Sequence, residues 1–332
     1  MLKFDKQEFI DEGKKVYALR DKIEQVADKV YDDGISNIFF TSSGGSNAVM
    51  QPFHYFIETT SKIPTYLITA ADFLASGNQQ LNEKSLVILL SKSGNTPETV
   101  EIAEKMKEKN IRTVSFVNKA DTILEKCSTF AINTFGYHPQ EMGFYFFIGK
   151  ILQRNGEFED YNEFVKELEF LPADMNEVSY QVDEKAKKFA EKYQDAPYQI
   201  WVGSGDLWGT TYCYSMCVLE ESQWLRTKSV SSPEFFHGTF ELVEKGVPVV
   251  LLKSEGKTRA MDDRVSKFAE KYTDEYEEFD MKSFKLPHIS AKFRPLVEAP
   301  VMWAALRRIS IHLEDIRHHS LDKRRYYRVV EY

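Results

Sequence analysis

The feature of this 332-residue chain that most restricts its fold is a short apolar run followed by a small polar loop and a helix-forming stretch. The pattern occurs in residues 36–58, where SNIFFTSS precedes two glycines, and in residues 86–109, where LVILL precedes SKSGNT. Pro97 and Glu98 follow the second loop, and both residue types are favoured in the first turn of a helix. Strand, loop and helix in series predict parallel β-α-β units with helices on both faces of a sheet.

A second series of the same kind occupies the later part of the chain. Strands are predicted at 198–202 and 247–252, each followed by a helix, at 208–224 and 259–272. The charged segment between the two series has helical periodicity. We therefore predict an α/β protein with an N-terminal helix over residues 1–34, a first α/β domain over 35–155, a helical connector over 156–195 and a second α/β domain over 196–332.

Charge and cysteine content exclude several classes of function. The chain has 43 Lys and Arg against 51 Asp and Glu, a net charge of −8, which argues against a nucleic-acid partner. Its apolar runs are too short to span a bilayer, and the first residues, MLKFDKQEF, lack the apolar core of a signal peptide. Three cysteines without a CxxC or Cys/His pattern indicate buried thiols and no metal site. We expect a cytoplasmic protein without membrane contact.

Two loops of the first series have the composition of a phosphate-binding site. Ligands of open parallel sheets bind beyond the carboxyl ends of the strands, where loops that begin helices offer free N–H groups. The loops 42–46 and 91–96 combine small residues with hydroxyl groups that can donate to phosphate oxygens. The alternative is that Ser, Gly and Asn form ordinary turns. Two such loops in one sheet favour a sugar-phosphate site.

Nucleotide motifs are incomplete. The segment 254–258 ends like a Walker loop, but Leu251 occupies the place of its first glycine. The glycines at 203, 205 and 209 resemble a dinucleotide fingerprint, but the expected acid at the end of the next strand is missing. A nicotinamide cofactor is therefore not favoured.

The segment 219–246 contains a candidate acid and a candidate histidine. Glu221 lies at the end of a predicted helix near several aromatic residues, and desolvation of such a carboxylate suits it to act as a general base. His237, beside Gly238, can exchange protons near neutral pH. A surface glutamate and a turn histidine remain the alternatives for the two residues.

Several strings in this order resemble the sugar isomerase (SIS) family, and more narrowly its glycated-amino-acid 6-phosphate deglycases. They are SSGGSN, SKSGNTPETVE, the 16-residue interval from Glu221 to His237, EFFHG and the ending LDKRRYYRVVEY. The resemblance implies two SIS domains in a homodimer with shared active sites, Glu221 as base, His237 as the ring-opening histidine, and His319 in the place of a tail histidine. The phosphate-binding positions that it implies are Ser43, Gly45, Ser46, Ser91, Lys92, Ser93 and Thr96.

The resemblance also implies a substrate and a reaction. The substrate is a small molecule, a 6-phosphorylated sugar carrying an amino acid, and no metal or redox cofactor is needed. The first loop SSGGS and the segment SSPE before FFHG look closest to the glucoselysine-6-phosphate type, because the fructosamine branch usually has HxGE there. The alternatives are a fructoselysine 6-phosphate deglycase, an aldose–ketose phosphosugar isomerase and a non-catalytic sugar-phosphate-binding regulator.

Overall fold

The computed structural model describes residues 1–327 and 329–331, and the chain forms two compact units. The amino-terminal unit is Gln7–Pro172, and the carboxyl-terminal unit combines Met1–Lys6 with Ala173–Tyr332. The division falls inside the segment predicted as a connector. Arg328 and Tyr332, both in the basic and aromatic tail, lie outside the described residues.

The amino-terminal unit contains a parallel sheet of five strands in the order β2-β1-β3-β4-β5. Its strands are β1 (Asn37–Ser42), β2 (Thr65–Thr69), β3 (Ser85–Ser91), β4 (Arg112–Val117) and β5 (Phe130–Asn133). Its helices are α1 (Lys6–Tyr17), α2 (Arg20–Asp32), α3 (Gly44–Thr60), α4 (Ala70–Ser76), α5 (Pro97–Glu108), α6 (Ile123–Cys127), α7 (Glu141–Arg154) and α8 (Tyr161–Leu168). The region predicted as one N-terminal helix thus forms two.

The two strands that precede the candidate loops lie side by side at the centre of this sheet. Every residue of β1 and β3 is buried, as expected for parallel strands covered on both faces. Their register pairs Thr41 with Leu89, so that both strands end at the same edge. The sequence pattern therefore places the two hydroxyl-rich loops next to each other.

The carboxyl-terminal unit contains a second parallel sheet, of four strands in the order β7-β6-β8-β9. Its strands are β6 (Gln199–Gly203), β7 (Thr227–Ser231), β8 (Val249–Lys253) and β9 (Tyr276–Asp280). Its helices are α9 (Leu171–Tyr193), α10 (Trp208–Cys213), α11 (Glu221–Gln223), α12 (Ser232–Phe235), α13 (Arg259–Tyr272) and α14 (Glu298–Ile316), with a π-helical segment, Tyr214–Glu220, joining α10 to α11. The predicted α/β class with parallel sheets flanked by helices is confirmed.

No helix in the described part of the chain is both long enough and apolar enough to cross a membrane.

Candidate active site

The loop after β1 leads directly into the N-terminus of a long helix. Ser43 has an extended backbone, and Gly44, with φ of +53°, begins the 17-residue helix α3. The first N–H groups of such a helix have no intrahelical partner and favour an anion. Among the described residues, the side chains of Ser43 and Ser46 make no hydrogen bond, while Gly45 adds a position without a side chain. The loop thus offers both hydroxyl and N–H donors.

The loop after β3 is held by its own hydrogen bonds. Ser91 Oγ lies 2.9 Å from Thr96 Oγ1 and accepts from Gly94 N at 3.1 Å, while Ser93 Oγ accepts from Asn95 N at 3.3 Å. Gly94 has φ of +65°, and a Cβ on it would lie 2.3 Å from Thr122 Cβ. Only glycine fits there, because both the backbone angle and the space exclude a side chain.

Two further side chains lie near these loops, Asn47 and Glu141. Asn47 Nδ2 donates to the carbonyl oxygens of Ser42 at 3.4 Å and Ile68 at 3.3 Å, and so joins the ends of β1 and β2. Glu141, the first residue of α7, was not predicted as a site residue. Burial raises its pKa, and the positive charge of the exposed Lys92 partly offsets this. A glutamate that begins an apolar helix is too common to be recognised from sequence.

Glu221 lies in the carboxyl-terminal unit, where the π-helical segment ends. π-Helical turns are rare and occur often at functional sites. The helix stops at Trp224, whose φ is +56°. Glu221 Oε1 accepts a hydrogen bond from Arg324 Nε at 2.8 Å, whereas Oε2 has no hydrogen-bond partner within residues 1–327 and 329–331. The Glu221 side chain is 32% exposed, which leaves its free oxygen accessible.

His319 packs beside this glutamate's helix. Its imidazole meets the Trp224 ring edge-on, with centroids 4.4 Å apart, and its carbonyl oxygen accepts from Gln223 Nε2 at 2.8 Å. Burial lowers the pKa of His319, and the cations Lys323, Arg317 and Arg325 lower it further. The imidazole is therefore neutral at pH 7. Nε2 is buried without a hydrogen-bond partner in the part of the chain that the structure describes.

His237 lies in the exposed turn after α12. Its N–H donates to the carbonyl oxygen of Glu234 at 2.9 Å, and Gly238 follows with φ of +143°. In the described chain, the imidazole makes no hydrogen bond or ion pair, with Glu221 or with any other side chain. The structure thus brings His319 to the end of the Glu221 helix and leaves His237 exposed, with no hydrogen bond or ion pair to either residue in the described part of the chain.

The ends of the second sheet's strands are occupied by a carboxylate of the protein. Asp262, fully buried on α13, accepts hydrogen bonds from Ser204 Oγ at 2.6 Å, Ser232 Oγ at 2.5 Å and Ser254 N at 2.9 Å. These three serines follow β6, β7 and β8, respectively. The hydroxyl groups of Ser204 and Ser232, which could meet a phosphate there, already donate to an internal carboxyl group.

More carboxyl groups lie close to the loop after β8. Glu298 Oε1 accepts from Glu255 N at 2.6 Å, and burial raises the pKa of Glu298 to about 8. Burial also raises the pKa of Asp206 to about 7. Over the described ranges, no group of three or more His, Cys, Asp or Glu side chains is arranged to hold a metal ion.

Comparison with known proteins gives consistent matches. A family model for the SIS domain matches residues 34–144. The fructosamine deglycase FrlB of Bacillus subtilis (strain 168) is 32% identical over 90% of this chain and 93% of its own length. The fructoselysine 6-phosphate deglycase of Escherichia coli (strain K12) is 23% identical over 93% of this chain and 91% of its own. A crystal structure from Bacillus subtilis, described as a phosphosugar isomerase, matches with a TM-score of 0.90 at 28% identity, covering 96% of this chain and 99% of that one.

Proposed function

Since this chain belongs to the SIS family, within its glycated-amino-acid deglycases, we propose that it hydrolyses a 6-phosphorylated sugar–amino acid adduct to a hexose 6-phosphate and the free amino acid. The observation that carries the proposal is Glu221, whose carboxylate has one oxygen held by Arg324 and the other without a partner in the described residues. A base in this state is oriented and still able to accept a proton.

The proposal assigns phosphate binding to the amino-terminal unit. The donors are the hydroxyl groups of Ser43, Ser46 and Ser93 and the first N–H groups of α3, with Lys92 as a nearby cation. Ser91 and Thr96 hold the second loop in shape through their mutual hydrogen bond. A phosphate fixed in this way orients the sugar carbons, which lowers the entropic cost of reaction.

Proton transfer is assigned to the carboxyl-terminal unit. His237 moves a proton between the ring oxygen and the carbon-1 hydroxyl, which opens the sugar ring. For a 2-amino aldose, Glu221 then removes the proton on carbon 2 to form an enaminol, and a proton delivered to carbon 1 gives an imine at carbon 2. Water adds to that imine, the carbon–nitrogen bond breaks, and fructose 6-phosphate and the amino acid leave. A 1-amino ketose reacts in the same way from carbon 1 and gives glucose 6-phosphate.

For the linkage, we favour the 2-amino aldose, with glucoselysine 6-phosphate as the substrate. The first loop, SSGGS, and the segment SSPE at 231–234 support this choice. The second candidate is fructoselysine 6-phosphate, because the relatives reported above are named for fructosamine and fructoselysine 6-phosphate deglycases. The two candidates differ in the hexose phosphate that they release.

We also propose that the enzyme acts in the cytoplasm as a homodimer whose active sites use residues of both subunits. The exposed imidazole of His237, without a side-chain partner in the described residues, supports a contribution to the active site of a second copy. Mixing a Glu221→Gln subunit with a His237→Ala subunit tests this. Shared sites predict that the mixture regains part of the activity that each variant lacks, whereas sites confined to one subunit predict none.

Product analysis tests the reaction itself. The purified enzyme is incubated with glucoselysine 6-phosphate and, in parallel, with fructoselysine 6-phosphate, and both products are identified. We expect Glu221→Gln to lower kcat by about 10²–10⁴-fold while phosphosugar binding persists. Conversion of a simple aldose phosphate into the ketose phosphate, with no amine released, would indicate an isomerase. Binding without turnover of any substrate would indicate a regulator.

A further inference from the structure

The guanidinium that contacts Glu221 is itself held in place. Arg324 Nη1 donates to the carbonyl oxygens of Leu321 at 2.6 Å and Lys323 at 3.0 Å, while Nε donates to Glu221. The Arg324 side chain is only 23% exposed. A planar guanidinium with donors engaged in two directions has little freedom to rotate. It therefore presents a fixed partner to the carboxylate.

The chain segment that carries Arg324 packs on the end of the helix that carries Glu221. The guanidinium carbon of Arg325 lies 4.2 Å from the Trp224 ring centroid, and Lys323 Nζ lies 5.2 Å from it. Gln223 and His319 are joined by a hydrogen bond between side chain and backbone. The residues on both sides of Arg324 are thus attached to the end of the Glu221 helix by cation–π contacts. The hydrogen bond between Gln223 and His319 adds a further attachment. Glu221 and Arg324 are thus parts of one packed arrangement.

We infer that Arg324 is a positioning residue, which fixes the Glu221 carboxylate so that its unpaired oxygen meets the substrate carbon. The inference rests on the proposed role of Glu221 as the base. A glutamate at a helix end can adopt several rotamers, and an error of about 1 Å in the place of a catalytic group can cost about 10²-fold in rate. The ion pair selects one rotamer and occupies the oxygen that the reaction does not use.

The test compares Arg324→Ala and Arg324→Lys with the wild-type enzyme on whichever glycated amino acid 6-phosphate it hydrolyses. We expect Arg324→Ala to lower kcat by about 10–100-fold and to change KM by less than about threefold. Arg324→Lys restores part of the loss, because it keeps the charge but lacks the fork of donors. Added guanidinium at millimolar concentration should raise the kcat of Arg324→Ala and not that of the wild type. A purely structural role would not produce this rescue.

Controls separate the inference from the proposed function. Arg307→Ala removes an exposed arginine of α14 and should leave kcat unchanged. In a Glu221→Gln background, Arg324→Ala should have no further effect on kcat, because the arginine acts through the carboxylate. If the wild type is active and Arg324→Ala keeps full kcat, the positioning role is wrong. If the wild type hydrolyses no glycated amino acid phosphate, the proposed function fails, and the inference fails with it.

Discussion

The turns after β1 and β6 have the same backbone conformation, but their serine hydroxyl groups differ in hydrogen bonding. After β1, Ser43 is extended and Gly44 has φ of +53°; after β6, Ser204 is extended and Gly205 has φ of +53°. Ser204 donates to the buried Asp262, whereas the hydroxyl of Ser43 makes no hydrogen bond in the described part of the chain. An internal carboxyl group thus occupies in the second sheet the place that we propose for a phosphate in the first. In the second sheet, the serine after β6 is engaged by a side chain of α13, a helix that follows much later in the chain.

The largest effect is expected from Asp262→Ala. The substitution leaves two serine hydroxyls and one N–H buried without an acceptor, and each such group costs about 1–3 kcal/mol. We expect the free energy of unfolding, measured with urea, to fall by about 3–5 kcal/mol. The comparison fails if the loss is below about 1 kcal/mol, because the serines would then not depend on the carboxylate.

The matched control for this substitution is Asp263→Ala. Asp263 is the next residue of α13, its side chain is 44% exposed, and it pairs with Lys253 at 3.0 Å. A partly exposed ion pair contributes about 1 kcal/mol or less. A similar loss in both variants would show that any charge removed from this helix has the same effect.

In the first sheet, Ser46→Ala and Ser91→Ala should separate ligand binding from stability. The hydroxyl of Ser46 makes no hydrogen bond within the described residues, so its loss should raise KM for the phosphosugar by about 5–10-fold without a change in melting temperature. Ser91 Oγ contacts Thr96 Oγ1 and Gly94 N, so its loss should lower the free energy of unfolding by about 1–2 kcal/mol. Steady-state kinetics and thermal unfolding measure the two effects. An unstable Ser46→Ala variant with unchanged KM would contradict the assignment.

The sequence predicted the elements that are determined by residues close together in the chain. The runs 86–90 and 247–252 read as buried parallel strands, the helix at 259–272 was predicted with the bounds it has, and the two hydroxyl-rich loops followed from the strand-helix order. The acidic composition of residues 270–278 is typical of a solvent-exposed surface. Part of this segment forms the edge strand β9, where Glu278 accepts from Lys253 Nζ at 3.1 Å and from Tyr276 Oη at 2.6 Å. The half-buried Glu278 of this strand pairs with Lys253, 25 residues earlier, and such a pairing has no local sequence pattern.

The candidate site likewise contains residues that the sequence predicted and residues that it did not. Glu221 was predicted from its helix end and its aromatic neighbours, but the arginine that holds it is 103 residues later in the chain. Asp262 also became recognisable only when the fold brought three strand ends to it. A contact between residues far apart in sequence requires the tertiary structure, because neither partner alone differs from an ordinary surface charge.

The buried acidic groups at the strand ends of the second sheet can be tested by pH. Burial raises the pKa of Glu298 to about 8, while in the unfolded chain it returns to 4.5. Between about pH 5 and pH 8 the folded protein therefore keeps a proton that the unfolded chain has lost, and stability falls as pH rises, by up to about 1.4 kcal/mol per pH unit. Glu298→Gln keeps an acceptor for Glu255 N and removes this titration, so the plot of unfolding free energy against pH should flatten over that window. Glu241→Gln, an exposed change in the same unit, should leave the slope as it is. Parallel plots for the wild type and Glu298→Gln would mean that Glu298 is ionised in the folded protein, contrary to the protonated state that its burial implies.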